Sequence, residues 1–283
     1  MLELFYFCLS QVHPVSAQWI GHHLQMGPQI CSSALPSTDF PALYHAIVCG
    51  VPLPPGRTKL LFIDSGLIHL MVVSGAHLAL LEILIQKISK RAVGPFLIFY
   101  SFMTGLQPPV VRALVRRLLR PTSHEYGFSS VHMELVTTLV ILILYPPWLT
   151  SRSFLMSWMC GLAIASPRWS KHFDIPIKCY VFLLPFCWLT PVTLFWNALL
   201  EPAIGLVLFP LSLGILLIPP IHIISDWGWR WLLRILSQGP AAHPADLYIE
   251  SSHLVFLVIS AQALLILGEI QWRRAYAFLS SSS

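Results

Sequence analysis

The sequence predicts an all-α fold: a polytopic integral membrane helical bundle with broken or re-entrant helices and a short amphipathic Arg-rich helix. Three observations carry that class. Of 283 residues, 56% are hydrophobic and 10% charged, with a mean hydropathy of +0.72, whereas soluble domains average about 25% charged residues. Windows without Lys, Arg or Asp run from Leu67 to Ile85, Ala92 to Val111, Leu135 to Ser151, Ser153 to Pro167, Cys179 to Leu200, Pro202 to Ser225 and Ser251 to Gly268. At membrane-helix lengths these give about seven apolar passes. Pro146-Pro147 and Pro219-Pro220 interrupt two of the windows, so half-helices are expected, with their irregular backbone buried in protein or facing water. A net charge of +5 and a pI near 9.0 suit anionic headgroups or a polyanionic ligand, and charge balance alone favours lipid.

Along the chain, residues 1–58 read as an irregular, partly interfacial N-terminal lead-in, because Pro14, Pro28, Pro36, Pro41, Pro52, Pro54 and Pro55 interrupt every run that would make a long helix. The start lacks a basic n-region, so no cleaved signal peptide is expected. Residues 59–275 form the helical membrane domain, and 276–283 a disordered tail. Cysteines stand at 8, 31, 49, 160, 179 and 187 with no CxxC, so no metal site is expected. Cys160, Cys179 and Cys187 read as small buried hydrophobes. Cys8, Cys31 and Cys49 form a bridge only where that end faces an oxidising space.

The first strong window contains "HLMVVSGAHLALLE", His69 to Glu82. Wound as one helix at about 100° per residue, it puts Gly66, His69, Ser74 and His77 on one side. Polar groups at membrane depth should face a bundle interior or a wet cavity, as a lined path or as hydrogen-bonded glue between helices.

Lys87, Lys90 and Arg91 follow this window and belong in the cytoplasm by the positive-inside rule, which sends Arg112, Arg116, Arg117 and Arg120 to the opposite side one span later. Either the span count differs or those arginines have another task. Their segment, "TGLQPPVVRALVRRLLRP", opens with Pro108-Pro109 as a helix start and stops at Pro121, leaving about eleven helical residues or roughly 17 Å. That is too short to cross the hydrocarbon. Arg112, Arg116 and Arg120 recur at four-residue spacing and Arg117 broadens the stripe, with Val111, Leu114, Val115 and Leu118 opposite. Such a helix rests on anionic headgroups or presents guanidinium groups to phosphates.

Further on, "WNALLEPAIGLVLFPLSLGIL" sets Asn197 and Glu201-Pro202 in apolar surroundings. It reads as a helix broken at functional depth or as a loop boundary with Glu201 in water. Trp148, Trp158, Trp169, Trp188, Trp196, Trp227, Trp229 and Trp231 cluster near window ends, as an aromatic belt or, for a few, as base-stacking platforms.

Four blocks, taken in order, resemble the ComEC competence family, the inner-membrane channel for single-stranded DNA in natural transformation. Ser65-Gly66-Leu67-Ile68-His69 with Ser74-Gly75-Ala76-His77 is similar to its leading signature. Thr104, Gly105, Arg112 and Ala113 are similar to the next motif, Pro147, Phe154, Ser157 and Gly161 to a third, and Asn197, Pro202 and Pro210 to a fourth. Together they cover residues 43–225, and Ser-Gly-x-His is the most specific part. Family members usually add a soluble domain and a metallo-β-lactamase-like nuclease, which this chain has no room for, so a core-only member, half of a split system or a degenerate relative is expected.

The resemblance implies a multi-pass protein of the bacterial inner (cytoplasmic) membrane that is not an enzyme and uses no cofactor. It implies a transport path through Gly66, His69, Ser74, Gly75, His77, Gly105, Asn197 and Pro202, and DNA contacts from Arg112, Arg116, Arg117 and Arg120. The implied partners are single-stranded DNA, membrane lipid, a DNA receptor, a cytoplasmic motor and a separate nuclease, and an oligomer is compatible. No nucleotide-binding loop is present, so a partner must supply energy. Two rivals stay open. One is an intramembrane serine hydrolase using Ser74, which needs a base from elsewhere such as His132, His222 or His253, because on one helix Ser74 and His77 diverge by about 60°. The other is a membrane scaffold without a substrate.

Overall fold

A computed structural model describes residues 26–71, 73–166, 174–185, 199–238 and 251–281. Among the described residues every regular element is helical, so the all-α class holds. The chain divides into two compact units. One draws on residues 11–114 and 187–247, the other on 115–186 and 248–283.

The first unit begins where prolines predict an irregular lead-in, yet residues 26–34 (α1) and Pro41–Cys49 (α2) are helical. Pro41 suits a first helical turn, where its missing N–H costs nothing. Gly50 ends α2 at φ +71, its N–H on the Ala46 carbonyl. A Cβ there would also lie 2.6 Å from the Thr104 carbonyl oxygen, so both conformation and space demand glycine. α2 is buried nearly all round, through Leu43, Tyr44, Ile47 and Val48, and so sits in the unit's core rather than at an interface. A Cys31–Cys49 disulfide ties α1 to its end. By loop length alone such a link constrains the unfolded chain by about 3 kcal/mol.

α3 (Arg57–Asp64) turns through Gly66, at φ +74, into a 3-10 turn at Leu67–Met71. A new helix, α4 (Gly75–Ile88), then starts on Ser74. The window expected to be one membrane helix is therefore two pieces. The reason is local: Ser74 is a strong N-cap and Gly75 a poor helix interior residue, so a helix start costs less here than continuation. α5 (Val93–Met103) and α6 (Pro108–Tyr126) follow. α6 has 19 residues and runs through Pro121, against the expected stop. An interior proline removes one hydrogen bond, and good helix formers before it carry the helix on.

The unit closes with Leu199–Gly214 (α10) and His222–Gln238 (α11). Pro202 lies in the first described turn of α10 rather than breaking it, and the irregularity falls at a π turn, Ile204–Leu208. Pro210 explains the shift: it has no N–H for the Leu206 carbonyl, and its ring crowds that carbonyl. The Phe209 N–H reaches back to Ile204 instead.

In the second unit, α7 (Ser130–Leu144) and α8 (Arg152–Ala165) start on Ser129 and Ser151, whose hydroxyls accept the N–H of His132 and Phe154. α9 (Asp174–Leu183) and α12 (Ser251–Ser281) complete it, α12 reaching Ser281, inside the segment expected to be a disordered tail. Buried polar bonds stitch these helices together. Trp158 Nε1 donates to Gln262 Oε1 at 3.1 Å, and Gln262 Nε2 to the Val131 carbonyl at 3.0 Å.

Among the described residues one helix is long and apolar enough to cross a membrane, Ser252–Gln271, with 20 residues and a hydropathy of 2.0. Its outward side chains include Phe256, Leu264 and Leu267. Val93–Met103, Ser130–Leu144, Arg152–Ala165 and Leu199–Gly214 are apolar but shorter. At 1.5 Å per residue they fall below the roughly 30 Å of hydrocarbon. Of the expected seven passes, the described residues show one helix of spanning length, and the other apolar helices are shorter.

Candidate functional site

Most of the residues singled out from sequence lie in the first unit, at its turns and helix starts. Gly66, buried in the left-handed region, lets the chain leave α3, and its carbonyl accepts the His69 Nδ1–H at 2.9 Å. Since a carbonyl only accepts, neutral His69 carries its proton on Nδ1 and keeps a lone pair on Nε2. His77 is the reverse. Its Nδ1 accepts the Ser74 backbone N–H at 3.0 Å, which leaves the proton on Nε2. Ser74 and His77 form a reciprocal cap at the start of α4, with the Ser74 hydroxyl 3.4 Å from the same nitrogen.

The expected divergence of Ser74 and His77 fails because Ser74 is a cap with extended backbone, not a helical residue. The two side chains meet. Yet the lone pair that would take a proton from the serine already holds a backbone N–H, so the contact serves the helix start. Of the other bases considered for the hydrolase rival, His222 Nδ1 meets the Pro219 carbonyl at 2.8 Å. His132, in the second unit, lies 2.7 Å from the Ser129 hydroxyl, which donates to Glu269 at 2.5 Å.

His77 is 2% exposed, and its ring packs on Phe209 with centroids 4.2 Å apart. Tyr100 meets the same phenyl edge-on at 6.4 Å. Phe209 is the residue whose N–H closes the π turn, so the helix irregularity positions the ring that covers His77. Gly75, at the first position of α4, would place a Cβ 3.2 Å from that of Ala113. Two motifs distant in sequence, Ser74-Gly75 and Arg112-Ala113, are thus in contact through small residues. Arg112, next to Ala113, is 8% exposed.

Gly105, at φ +75, turns the chain out of α5, and the Leu106 N–H bonds the Ser101 carbonyl at 2.9 Å. Leu106 itself has φ +49, a conformation that costs a residue with a Cβ on the order of 1 kcal/mol or more. Gly105, Thr104, Gln107, Gly50, His45 and Gln29 line a cavity of about 460 Å³, and Gln107 Nε2 donates to the Gly50 carbonyl across one side. Its lining is mostly apolar, with Pro28, Val51 and Pro52 beside these polar groups, and carries no carboxylate or guanidinium.

The other predicted residues fall apart from this group. Arg116, Arg117 and Arg120 belong to the second unit. Arg116 forms an ion pair with Glu134, a carboxylate 0% exposed; Arg117 is half-buried and Arg120 exposed. The four arginines are therefore not equivalent. Pro202 and Glu201 are exposed at the start of α10. Asn197 lies outside the described residues, as do Trp169, Trp188, Trp196, Cys8 and Cys187.

Sequence reasoning missed the buried network beneath α11. The Tyr44 hydroxyl donates to Asp226 at 2.7 Å, as does the Asp39 N–H at 3.2 Å. Trp229 Nε1 donates to the Ser212 hydroxyl at 3.2 Å, which lies 3.3 Å from that of Ser225. Trp229, expected in an aromatic belt, is fully buried, and Trp148 and Trp158 are buried too, while Trp227 and Trp231 are exposed. A helical period of buried residues Ser225, Trp229, Leu232 and Leu236 was the available signal. Cys160 and Cys179 are half-buried and outside any disulfide, so neither is the fully buried hydrophobe expected.

The family described as Competence protein matches residues 55–274. An uncharacterized protein of Aquifex aeolicus (strain VF5) is 26% identical over 242 residues, an alignment covering 76% of this chain. This chain spans 56% of that relative's length. No solved structure matches the chain.

Proposed function

The chain belongs to the competence protein family, and on that premise we propose that it forms a multi-pass channel core in the bacterial inner membrane that carries single-stranded DNA toward the cytoplasm. The observation that carries this reading is the cavity beside the Cys31–Cys49 bridge, whose mixed lining includes the family motif. Gly50, the residue after Cys49, lines it together with the Thr104-Gly105 motif. Disulfides persist in oxidising compartments, so the bridge supports an outward-facing position for this cavity, where a strand would arrive. A mixed lining without carboxylate or guanidinium can pass a flexible backbone without holding it, as transport requires. The break at Ser74 supports a discontinuous helix at the path, the device by which transporters put polar backbone at membrane depth. His69, with a lone pair on Nε2, would offer an acceptor, while His77, buried under Phe209, holds the helix start in place.

The chain performs no bond-breaking step on this reading, and energy comes from a cytoplasmic motor. An outer DNA receptor, a separate nuclease and self-association complete the proposed assembly. A strain lacking the chain should still bind fluorescent DNA at its surface but fail to internalise it, with uptake restored by the intact sequence. Undiminished internalisation in the deletion strain would reject the channel reading in favour of a scaffold.

A further inference from the structure

A basic cavity lies away from all the motifs. Arg57, Arg230 and Arg234 line a space of about 300 Å³ in the first unit, with Thr58, Ser237 and the apolar Leu61. Arg57 opens α3, while Arg230 and Arg234 are one turn apart on α11. Among the described residues Asp39 contacts this cluster, its Oδ2 accepting from Arg230 at 2.5 Å, and the buried Asp226, one turn before Arg230, accepts the Asp39 N–H. Three guanidiniums against these two carboxylates leave a positive excess in a concave site with two hydroxyls. That combination suits a phosphate group.

The exposed side of α11 identifies what carries the phosphate. Ile223, Ile224, Trp227 and Trp231 are exposed, the tryptophans at 68% and 55%, and Arg234 and Gln238 continue the same stripe at helical spacing. From its start to its end the stripe passes from aliphatic through indole to guanidinium side chains. Arg234 stands about 16 Å beyond Ile223 at 1.5 Å per residue. This is the depth order of a lipid leaflet: hydrocarbon, interface, headgroup. A nucleic acid strand would account for the arginines and tryptophans but would leave Ile223 and Ile224 in water. We propose that α11 and the start of α3 form a binding site for an anionic phospholipid, its phosphate held by Arg57, Arg230 and Arg234 and its acyl chains against Ile223, Ile224 and Trp227. Trp231 lies between, at the glycerol level. The site is independent of the DNA reading, and either can fail without the other.

The test uses the full chain in detergent micelles containing phosphatidylglycerol or phosphatidylcholine with brominated acyl chains, which quench nearby indoles. Phosphatidylglycerol should quench at a roughly fivefold lower mole fraction, the preference expected of one excess positive charge near a phosphate surface. Trp227→Phe/Trp231→Phe should remove most of the quenching. Arg57→Gln/Arg234→Gln should abolish the preference, whereas Lys87→Gln/Lys90→Gln, which removes equal charge elsewhere, should retain it. Inorganic phosphate at matched concentration should not displace the brominated lipid. Equal quenching by both lipids in the unaltered chain would overturn the proposal, a result that needs no variant to fold. So would displacement by phosphate, which would make the cavity a site for the free ion, or displacement by oligothymidylate, which would make it a nucleic acid site.

Discussion

Arg116 and Arg120 stand one turn apart on α6, and the structure gives them different work. Arg116 is 32% exposed and paired with Glu134, which is 0% exposed, while Arg120 is exposed. If the chain binds single strands, each phosphate neutralised by a side chain contributes about −0.7 to the slope of log affinity against log salt. Arg120→Gln should therefore make the slope shallower by about 0.7 and leave stability within about 0.5 kcal/mol. Arg116→Gln should leave the slope unchanged and cost stability, because it withdraws a cation from a carboxylate that water does not reach. Breaking a fully buried pair costs about 3–5 kcal/mol. One partner here is partly solvated, so about 2 kcal/mol is expected. Arg116→Met/Glu134→Leu should recover most of that loss, since no stranded carboxylate remains. The assay is fluorescence anisotropy of labelled oligothymidylate across a potassium chloride series, with thermal unfolding on the same samples. A shallower slope in Arg116→Gln, with its melting temperature unchanged, would refute the assignment of Arg116 to Glu134.

Three further outcomes rest on contacts in the structure. Gly75→Val should cost about 1–3 kcal/mol by overpacking against Ala113, and Ala113→Gly should relieve part of it, so a thermal-unfolding double-mutant cycle should give a non-zero coupling. Ser74→Ala removes the cap of α4 and should lower stability by about 1 kcal/mol in the same assay, with Ser74→Asp restoring most of it. In the oxidised protein, maleimide should modify Cys160 and Cys179 but reach Cys31 and Cys49 only after reduction, as peptide mass spectrometry would show; modification of Cys31 before reduction would contradict the bridge.

The helical class was legible because composition reports it directly: apolar windows without charge have few other folds open to them. The geometry around the candidate residues was not legible. A helical wheel assumes an unbroken helix, and the 3-10 turn at Leu67–Met71 together with the cap at Ser74 removes that assumption. The Ser74 cap was readable, since a serine before glycine with a polar residue three places on is a helix start, but the hydrophobicity of the window outweighed it. Pro121 misled in the opposite direction. The proline rule gives a probable helix boundary, and α6 passes through it. The Tyr44–Asp226 bond joins residues 182 apart, and no local pattern announces such a pair.

The motif residues share a property that bears on how the family resemblance should be read. Gly66 and Gly105 occupy left-handed turns, Ser74 and His77 build a helix start, and Gly75 and Ala113 let α4 and α6 approach closely. Each sets the path of the backbone. The glycines present no reactive side chain, and the polar atoms of Ser74 and His77 are largely spent on each other. What recurs as a motif here is therefore an architecture, two helices interrupted and then packed together through their smallest residues. On the proposed channel reading, chemistry toward a strand comes from groups whose positions this architecture sets, the Nε2 atom of His69 and the walls of the Gly105 cavity. A substitution at Gly75 should accordingly impair uptake in proportion to the stability it removes, whereas His69→Gln should impair uptake with stability intact.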